Sequence, residues 1–252
     1  MKIVLPYAKL LPPVGGESEF TPGDGIALLR KIEWAARVSH RSEDAQKADS
    51  YERFIRTVVL DHGDWSVVEH ATVSVDMLVD RGVTHELVRH RLFSYTQEST
   101  RFVNYDKKME TSFIYPIPDV SCSFCLACEA LAFNVPAWTH ESPHGRVPCP
   151  YNPAWLSTIT DVRMKYTGLL SDGWRPQEAR SVLPNALASR IIVTGNLRNW
   201  RHVFLMRTTR EAHPQMRQVM IPLLQEFQQK IPILFEDIAP DARQVDNLRK
   251  PR

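Results

Sequence analysis

A chain of 252 residues with 43% hydrophobic and 24% charged side chains has an ordinary composition for a soluble globular protein, and it is long enough to bury a sizeable core. Its formal net charge of +2 argues against a general electrostatic grip on nucleic acid, so any basic site must be a local arrangement suited to a small anion. No run approaches the ~20 consecutive apolar residues of a membrane helix. The opening MKIVLPYAKLLPP is too short and too Pro-broken for a secretory signal, so a cytoplasmic protein without a membrane partner is expected.

Along the chain, Ile26, Leu28, Leu29, Ile32, Ala35 and Ala36 recur at helical spacing and predict an amphipathic helix over 26–38. Phe54, Ile55, Val58 and Val59 predict a second over 51–60. In HATVSVDMLV, Ala71, Val73, Val75, Met77 and Val79 alternate with His70, Thr72, Ser74 and Asp76, the period of a strand with one buried face and one polar face that could wall a site. A helix is expected from Val83 to His90 or Arg91, capped by Thr84, with Glu86 and Arg89 on one face.

Residues 116–153 hold seven of the eighteen prolines, all four cysteines, His140 and His144, with little periodicity, and read as a loop-rich insertion. Beyond it the pattern predicts a helix over 157–170, a short one opened by Pro176 in PQEARSVL, a strand at SRIIVTGN, and helices over 197–210 and 213–229. The order is mixed, without regular βαβα alternation, which favours an α+β fold.

The densest chemistry lies in RHRLFSYTQESTRFVNY, residues 89–105, where Arg89, His90, Arg91 and Arg101 flank Ser94, Thr96, Gln97, Ser99 and Thr100. Guanidinium forks beside hydroxyl and amide donors form an anion cradle, or else a solvated helix end; charge alone does not separate the two. NLRNWRHVFLMRTTR is a second basic cluster, with Asn196, Arg198 and His202 on one helical side or simply on an exposed basic helix. Cys122, Cys125 and Cys128, with Cys149 behind them, have enough soft ligands for tetrahedral zinc, but their spacing is not the two-and-two pattern of a zinc ribbon, and loop thiols fit as well. Signatures of Ser hydrolases, P-loop NTPases, zinc proteases and Rossmann domains are missing.

Spacing separates the readings. Arg89-His90-Arg91, seven residues, then Ser99 resembles the signature of flavin-dependent thymidylate synthases, the ThyX family, and so do VVEH (67–70), STR (99–101), EARSVLP (178–184) and TGNLRNWRHVFLMR (194–207), in matching order over about residues 25–230. The resemblance implies one catalytic domain over 1–252 with the insertion at about 116–153, built on a twisted, mainly antiparallel sheet surrounded by helices. It implies reductive methylation of dUMP to dTMP with FAD, methylenetetrahydrofolate and NADPH, in a homotetramer with shared active sites.

Residue by residue, Arg207 matches the family's arginine that contacts the uracil, the catalytic candidate. Glu86, Arg89, Gln97, Glu98, Ser99, Thr100, Arg101 and Arg180 match positions around the nucleotide. His70, Thr72, Arg89, His90, Arg91, Gln97, Asn196, Arg198 and His202 match positions around the flavin. This chain departs from many relatives at Thr96-Gln97 and Phe102, and it carries Glu86 where some have Gln. A carboxylate would repel phosphate, so Glu86 is expected to face sugar or base, or to pair with an arginine. The rival readings are a basic nucleic-acid-binding module and an inactive relative that keeps its ligands without turnover.

Overall fold

The computed structural model describes residues 1–13, 19–105, 111–115, 140–142, 145–147 and 153–240. In chain order the elements are β1 (Lys2–Val4), β2 (Tyr7–Leu10), α1 (Pro22–Arg37), α2 (Ser50–Ile55), β3 (Thr72–Asp80), α3 (Arg81–Leu87), β4 (Ser94–Gln97), β5 (Ser112–Ile114), β6 (His140–Ser142), β7 (Gly145–Val147), α4 (Pro153–Ser171), α5 (Pro176–Ala179), β8 (Ala188–Asn196), α6 (Leu197–Arg207) and α7 (Pro214–Lys230). Strands β2, β3, β8 and β4 form a four-stranded sheet in that order, with the β2–β3 and β4–β8 pairs antiparallel. Mixed helix and antiparallel sheet is the α+β class expected from the sequence. Among the described residues no helix is long and apolar enough to cross a membrane.

The chain divides into two compact units. The larger comprises Pro6–Val79, Val83–Gln97 and the chain from Arg190 onward; the smaller comprises Met1–Leu5, Asp80–Gly82 and Glu98–Ser189. In the larger unit, Val73, Val75, Met77 and Val79 are buried along one face of β3, as their alternation predicts, and each such side chain contributes about 1.5–3 kcal/mol by leaving water. They join Leu29 and Ile32 of α1, Leu197, Trp200, Val203 and Phe204 of α6, and Met216, Val219, Met220, Leu223, Leu224 and Phe227 of α7. The smaller unit has its own core of Tyr105, Phe113, Ile159, Tyr166, Ala179 and Leu187 around the parallel pair β1–β5.

The polar face of β3 is not an open wall. Asp76 is buried and receives a bidentate pair from Arg190, Nε to Oδ1 at 2.8 Å and Nη2 to Oδ2 at 3.0 Å, while Ser74 and Thr194 share a hydroxyl bond of 2.7 Å. Pairing makes the buried carboxylate tolerable and ties β3 to β8.

Helix α3 begins at Arg81 and ends at Leu87, earlier at both ends than the sequence pattern implies. Thr84 is therefore no cap; it is buried inside the helix and its Oγ1 accepts from the Gln97 side chain at 3.0 Å. Arg89 falls beyond the helix end and shares no helical face with Glu86. Strand β4, four residues inside the basic segment, does not register in the sequence pattern because its alternation is too short.

The zinc candidates Cys122, Cys125, Cys128 and Cys149 lie outside the described residues, as does His144. Within the described residues no cluster of three His, Cys, Asp or Glu side chains is placed to hold a metal.

Helix α1 starts with a capping box: Thr21 Oγ1 accepts from the Asp24 amide at 3.2 Å and Asp24 Oδ2 accepts from the Thr21 amide at 2.8 Å. One turn in, Gly25 is buried against the end of α7, where a Cβ would sit 1.7 Å from the Lys230 carbonyl oxygen. Backbone cannot yield as a flexible side chain would. Gly25→Ala is expected to lower unfolding stability by about 2–3 kcal/mol in a denaturant titration; an unchanged midpoint would show that this helix contact is not close-packed.

Candidate active site

In the larger unit three segments meet at one end of the sheet. The amide of Leu197, first residue of α6, donates to the Ala71 carbonyl at 2.9 Å. Arg198 pairs with Glu69 at 2.5 Å, and the Asn199 side chain donates to the Leu92 carbonyl at 3.0 Å. The residues before β3, the turn after α3 and the start of α6 are thereby held side by side. Asn196 caps α6, its Oδ1 accepting from the Asn199 amide at 2.8 Å, so it stands at the helix entrance and not on the helical side with Arg198 and His202.

The turn carrying Arg89, His90 and Arg91 is built from beneath. The Tyr95 hydroxyl lies 2.6 Å from the Leu87 carbonyl and 2.8 Å from the His90 carbonyl, sharing one proton between the two ends of the turn, and burial raises its pKa to about 12. Phe93 packs edge-on against Trp200 with ring centroids 4.9 Å apart, and its ring fills the space beside Gly195, where a Cβ would lie 2.3 Å from it. Arg89 and Arg91 lie on this frame, with His70 and Thr72 at the entrance to β3 and Arg198 and His202 on α6; all six are exposed.

Inside the same cluster, Arg207 at the end of α6 donates from Nε to His90 Nε2 at 3.0 Å and from Nη1 to Glu86 Oε2 at 3.1 Å. Because His90 accepts on Nε2, its ring proton sits on Nδ1. Burial lowers the His90 pKa to about 4, helped by the positive charge of Arg207 and by His202, whose ring lies 6.4 Å away at 74°. The imidazole is neutral at physiological pH.

The expected pairing of Glu86 with an arginine is therefore present, and the arginine is the catalytic candidate itself. All three arginines of α6 are engaged, Arg198 with Glu69, Arg201 with Asp237 and Arg207 with Glu86, so α6 does not present the bare basic face that the nucleic-acid reading needs.

In the smaller unit, Ser99, Thr100 and Arg101 form a turn: the Arg101 amide donates to Ser99 Oγ at 3.2 Å, and Arg180 Nη1 donates to the buried Thr100 Oγ1 at 3.0 Å. The guanidinium of Arg101 lies over the ring of Phe102, 5.3 Å from its centroid. Burial, followed by the nearby charge of Glu98, pushes the Tyr105 phenol above the ordinary tyrosine range. Arg180, which the resemblance places around the nucleotide, thus joins the Ser99–Arg101 turn through a bond spanning eighty positions.

Of the supporting residues, Glu69, Gly195 and Asn199 lie within stretches that carry the resemblance, and Phe93 and Tyr95 lie between Arg91 and Ser99, but the resemblance assigns none of them a role. A lone glycine within a strand pattern, at Gly195, marks a place of close approach.

The fold is shared with a solved UMP/dUMP methylase, PolB from Streptomyces cacaoi bound with 5-Br dUMP, at a TM-score of 0.66 and 20% identity, covering 94% of this chain and 96% of that one. That defines an α+β architecture of a kind that carries nucleotide methylation in another protein. The family model for thymidylate synthase complementing protein, Thy1, matches residues 28–233. Flavin-dependent thymidylate synthases from Corynebacterium diphtheriae and Mycolicibacterium vanbaalenii are 32% and 33% identical, over 82% and 86% of this chain and 77% and 81% of theirs. This chain belongs to the flavin-dependent thymidylate synthase family, a family of methyltransferase enzymes.

Because His90 is held neutral in the fold, with a pKa near 4 against 6.5 when unfolded, the unfolded chain binds the extra proton first as pH falls. The contribution to stability is present above pH 6.5 and is lost as pH drops toward about 4. Unfolding midpoints measured across that window are expected to fall more steeply for the native chain than for His90→Gln; parallel profiles would place the His90 pKa near its ordinary value.

Proposed function

We propose that this protein methylates dUMP reductively to dTMP, taking its carbon from methylenetetrahydrofolate and its reducing equivalents from NADPH, with FAD as bound cofactor. The observation that carries the reading is the arginine–histidine–glutamate cluster of Arg207, His90 and Glu86, set in a family that makes thymidylate.

The donor chemistry around this cluster fits a flavin dinucleotide. Arg89 and Arg91 offer charge to a pyrophosphate, while Thr72, His70, Asn196 and the Glu69-paired Arg198 offer hydrogen-bonding groups, all on segments that the Leu197–Ala71 and Asn199–Leu92 bonds bring together. Bound there, the flavin supplies redox and one-carbon transfer chemistry that no side chain of the protein provides. Gln97 and His202 complete the proposed flavin set, and the first of these is oriented by Thr84.

The protein's own contribution is positioning and polarisation. Arg207 offers a fixed positive charge to the uracil ring, stabilising negative charge on its carbonyl side and so raising nucleophilicity at the carbon that accepts the methyl group. Ser99, Thr100, Arg101 and Arg180 form a set of hydroxyl and guanidinium donors suited to a phosphate. Ser99 has the amide of Arg101 as its partner and acts in binding, not as a nucleophile. A homotetramer in the cytoplasm is the assembly and location we propose.

The test is tritium release from labelled dUMP by the purified, flavin-loaded protein, omitting FAD, NADPH and methylenetetrahydrofolate in turn. Release that requires all of them supports the reading, and a protein that takes up no flavin and releases no tritium refutes it. Arg207→Ala is expected to remain folded and flavin-bound while turnover falls roughly a hundredfold, the scale of losing one preorganised transition-state donor. Native turnover in that variant would remove Arg207 from the mechanism.

A further inference from the structure

We infer that Glu86 is a positioning residue for Arg207: its carboxylate and the His90 imidazole together fix the plane of the guanidinium, so that the Nη2 edge is the one presented to the pyrimidine. This rests on the dUMP reading above and gives Glu86 a role distinct from direct contact with the nucleotide.

A guanidinium has five N–H donors in one plane, and its direction is set by whichever donors are already committed. Here two are committed on different nitrogens, Nε to His90 Nε2 at 3.0 Å and Nη1 to Glu86 Oε2 at 3.1 Å. The anchors come from different places, Glu86 from α3 and His90 from the turn that follows it, while Arg207 ends α6. Two bonds from two directions remove rotation about the last bonds of a long side chain, which a single contact would allow. The Arg207 side chain is 21% exposed, so part of it reaches solvent.

Charge supports the same assignment. A carboxylate is a poor neighbour for a nucleotide anion and a good one for a guanidinium, whose bond to it is charge-assisted. The turn bearing His90 is itself held by Tyr95 and Phe93, so that anchor is rigid. Glu86 is the weaker-framed of the two, at 37% side-chain exposure, and its removal leaves Arg207 with one neutral acceptor and freedom to turn. Pre-placed donors cost no reorganisation when charge develops on the substrate, so the loss is felt in the chemical step more than in binding.

Two variants of the full-length chain test this. Glu86→Ala removes the anchor; Glu86→Gln restores an acceptor without the charge. In crystals grown without nucleotide, Arg207 is expected to leave His90 in the Ala variant and to keep that bond in the Gln variant. With the flavin-loaded enzyme, Glu86→Ala is expected to lower kcat about thirtyfold while the dUMP dissociation constant from calorimetry moves less than about threefold, and Glu86→Gln to recover at least about fivefold of the lost kcat.

Arg207 unmoved in the Ala crystal, or a dUMP affinity that collapses while kcat holds, would overturn the proposal and make Glu86 a direct nucleotide ligand or a bystander. Failure of the native chain to turn over dUMP would sink the functional reading alone, because the crystallographic comparison judges the positioning role without it.

Discussion

The arrangement of the candidate site depends on a missing atom. Gly195 has no Cβ, and the ring of Phe93 occupies that space while standing edge-on to Trp200, a fully buried side chain at the centre of the larger unit's core. Through Phe93 the arginine-rich turn is nailed to β8 and α6; through Tyr95, whose hydroxyl bridges the Leu87 and His90 carbonyls, the two ends of the turn are closed. A cluster of like charges on a loop would otherwise splay apart. Here apolar packing and backbone hydrogen bonds hold the charges in place, and the cost of their proximity is offset by burial elsewhere.

Upon that frame sits a second balance, electrostatic in kind. Arg207 is one positive charge shared between a carboxylate and a neutral imidazole. His90 cannot take a proton without setting two donors against each other, and burial, followed by the Arg207 charge, lowers its pKa. Arg198 and Arg201, on the same helix, are matched by Glu69 and Asp237, and Trp65 lies against the Arg201 guanidinium at 4.7 Å. The helix that looks basic in sequence is largely neutralised in space, and the cationic groups left to the cluster are concentrated on the turn at Arg89 and Arg91.

Much of this frame is legible in the residue pattern. The alternation of Val73, Val75, Met77 and Val79 marks β3, and the helical periods mark α1, α4, α6 and α7, because burial of one face imposes a period that survives in the residue types. Short elements are not legible: β1, β2, β4 and β5 have three or four residues each, too few for a period to stand out from composition. The helix at α3 is legible, but its end is not, because Val88 and His90 continue an acceptable helical pattern, while in space the chain turns where the Tyr95 hydroxyl bridges the Leu87 and His90 carbonyls.

The sequence by itself determined which chemical groups this protein possesses, their order, and the family to which they belong, since the signature from Arg89 to Ser99 and the run from Thr194 to Arg207 are statements about residue identity and spacing. Only the tertiary structure decided which of those groups meet. Glu86 and Arg207 are 121 positions apart and Arg180 and Thr100 are 80 apart, separations at which local propensity carries no information. What brings them together is the packing of buried faces, and hydrogen-bond geometry then selects one partner for each donor from the several that charge alone would allow.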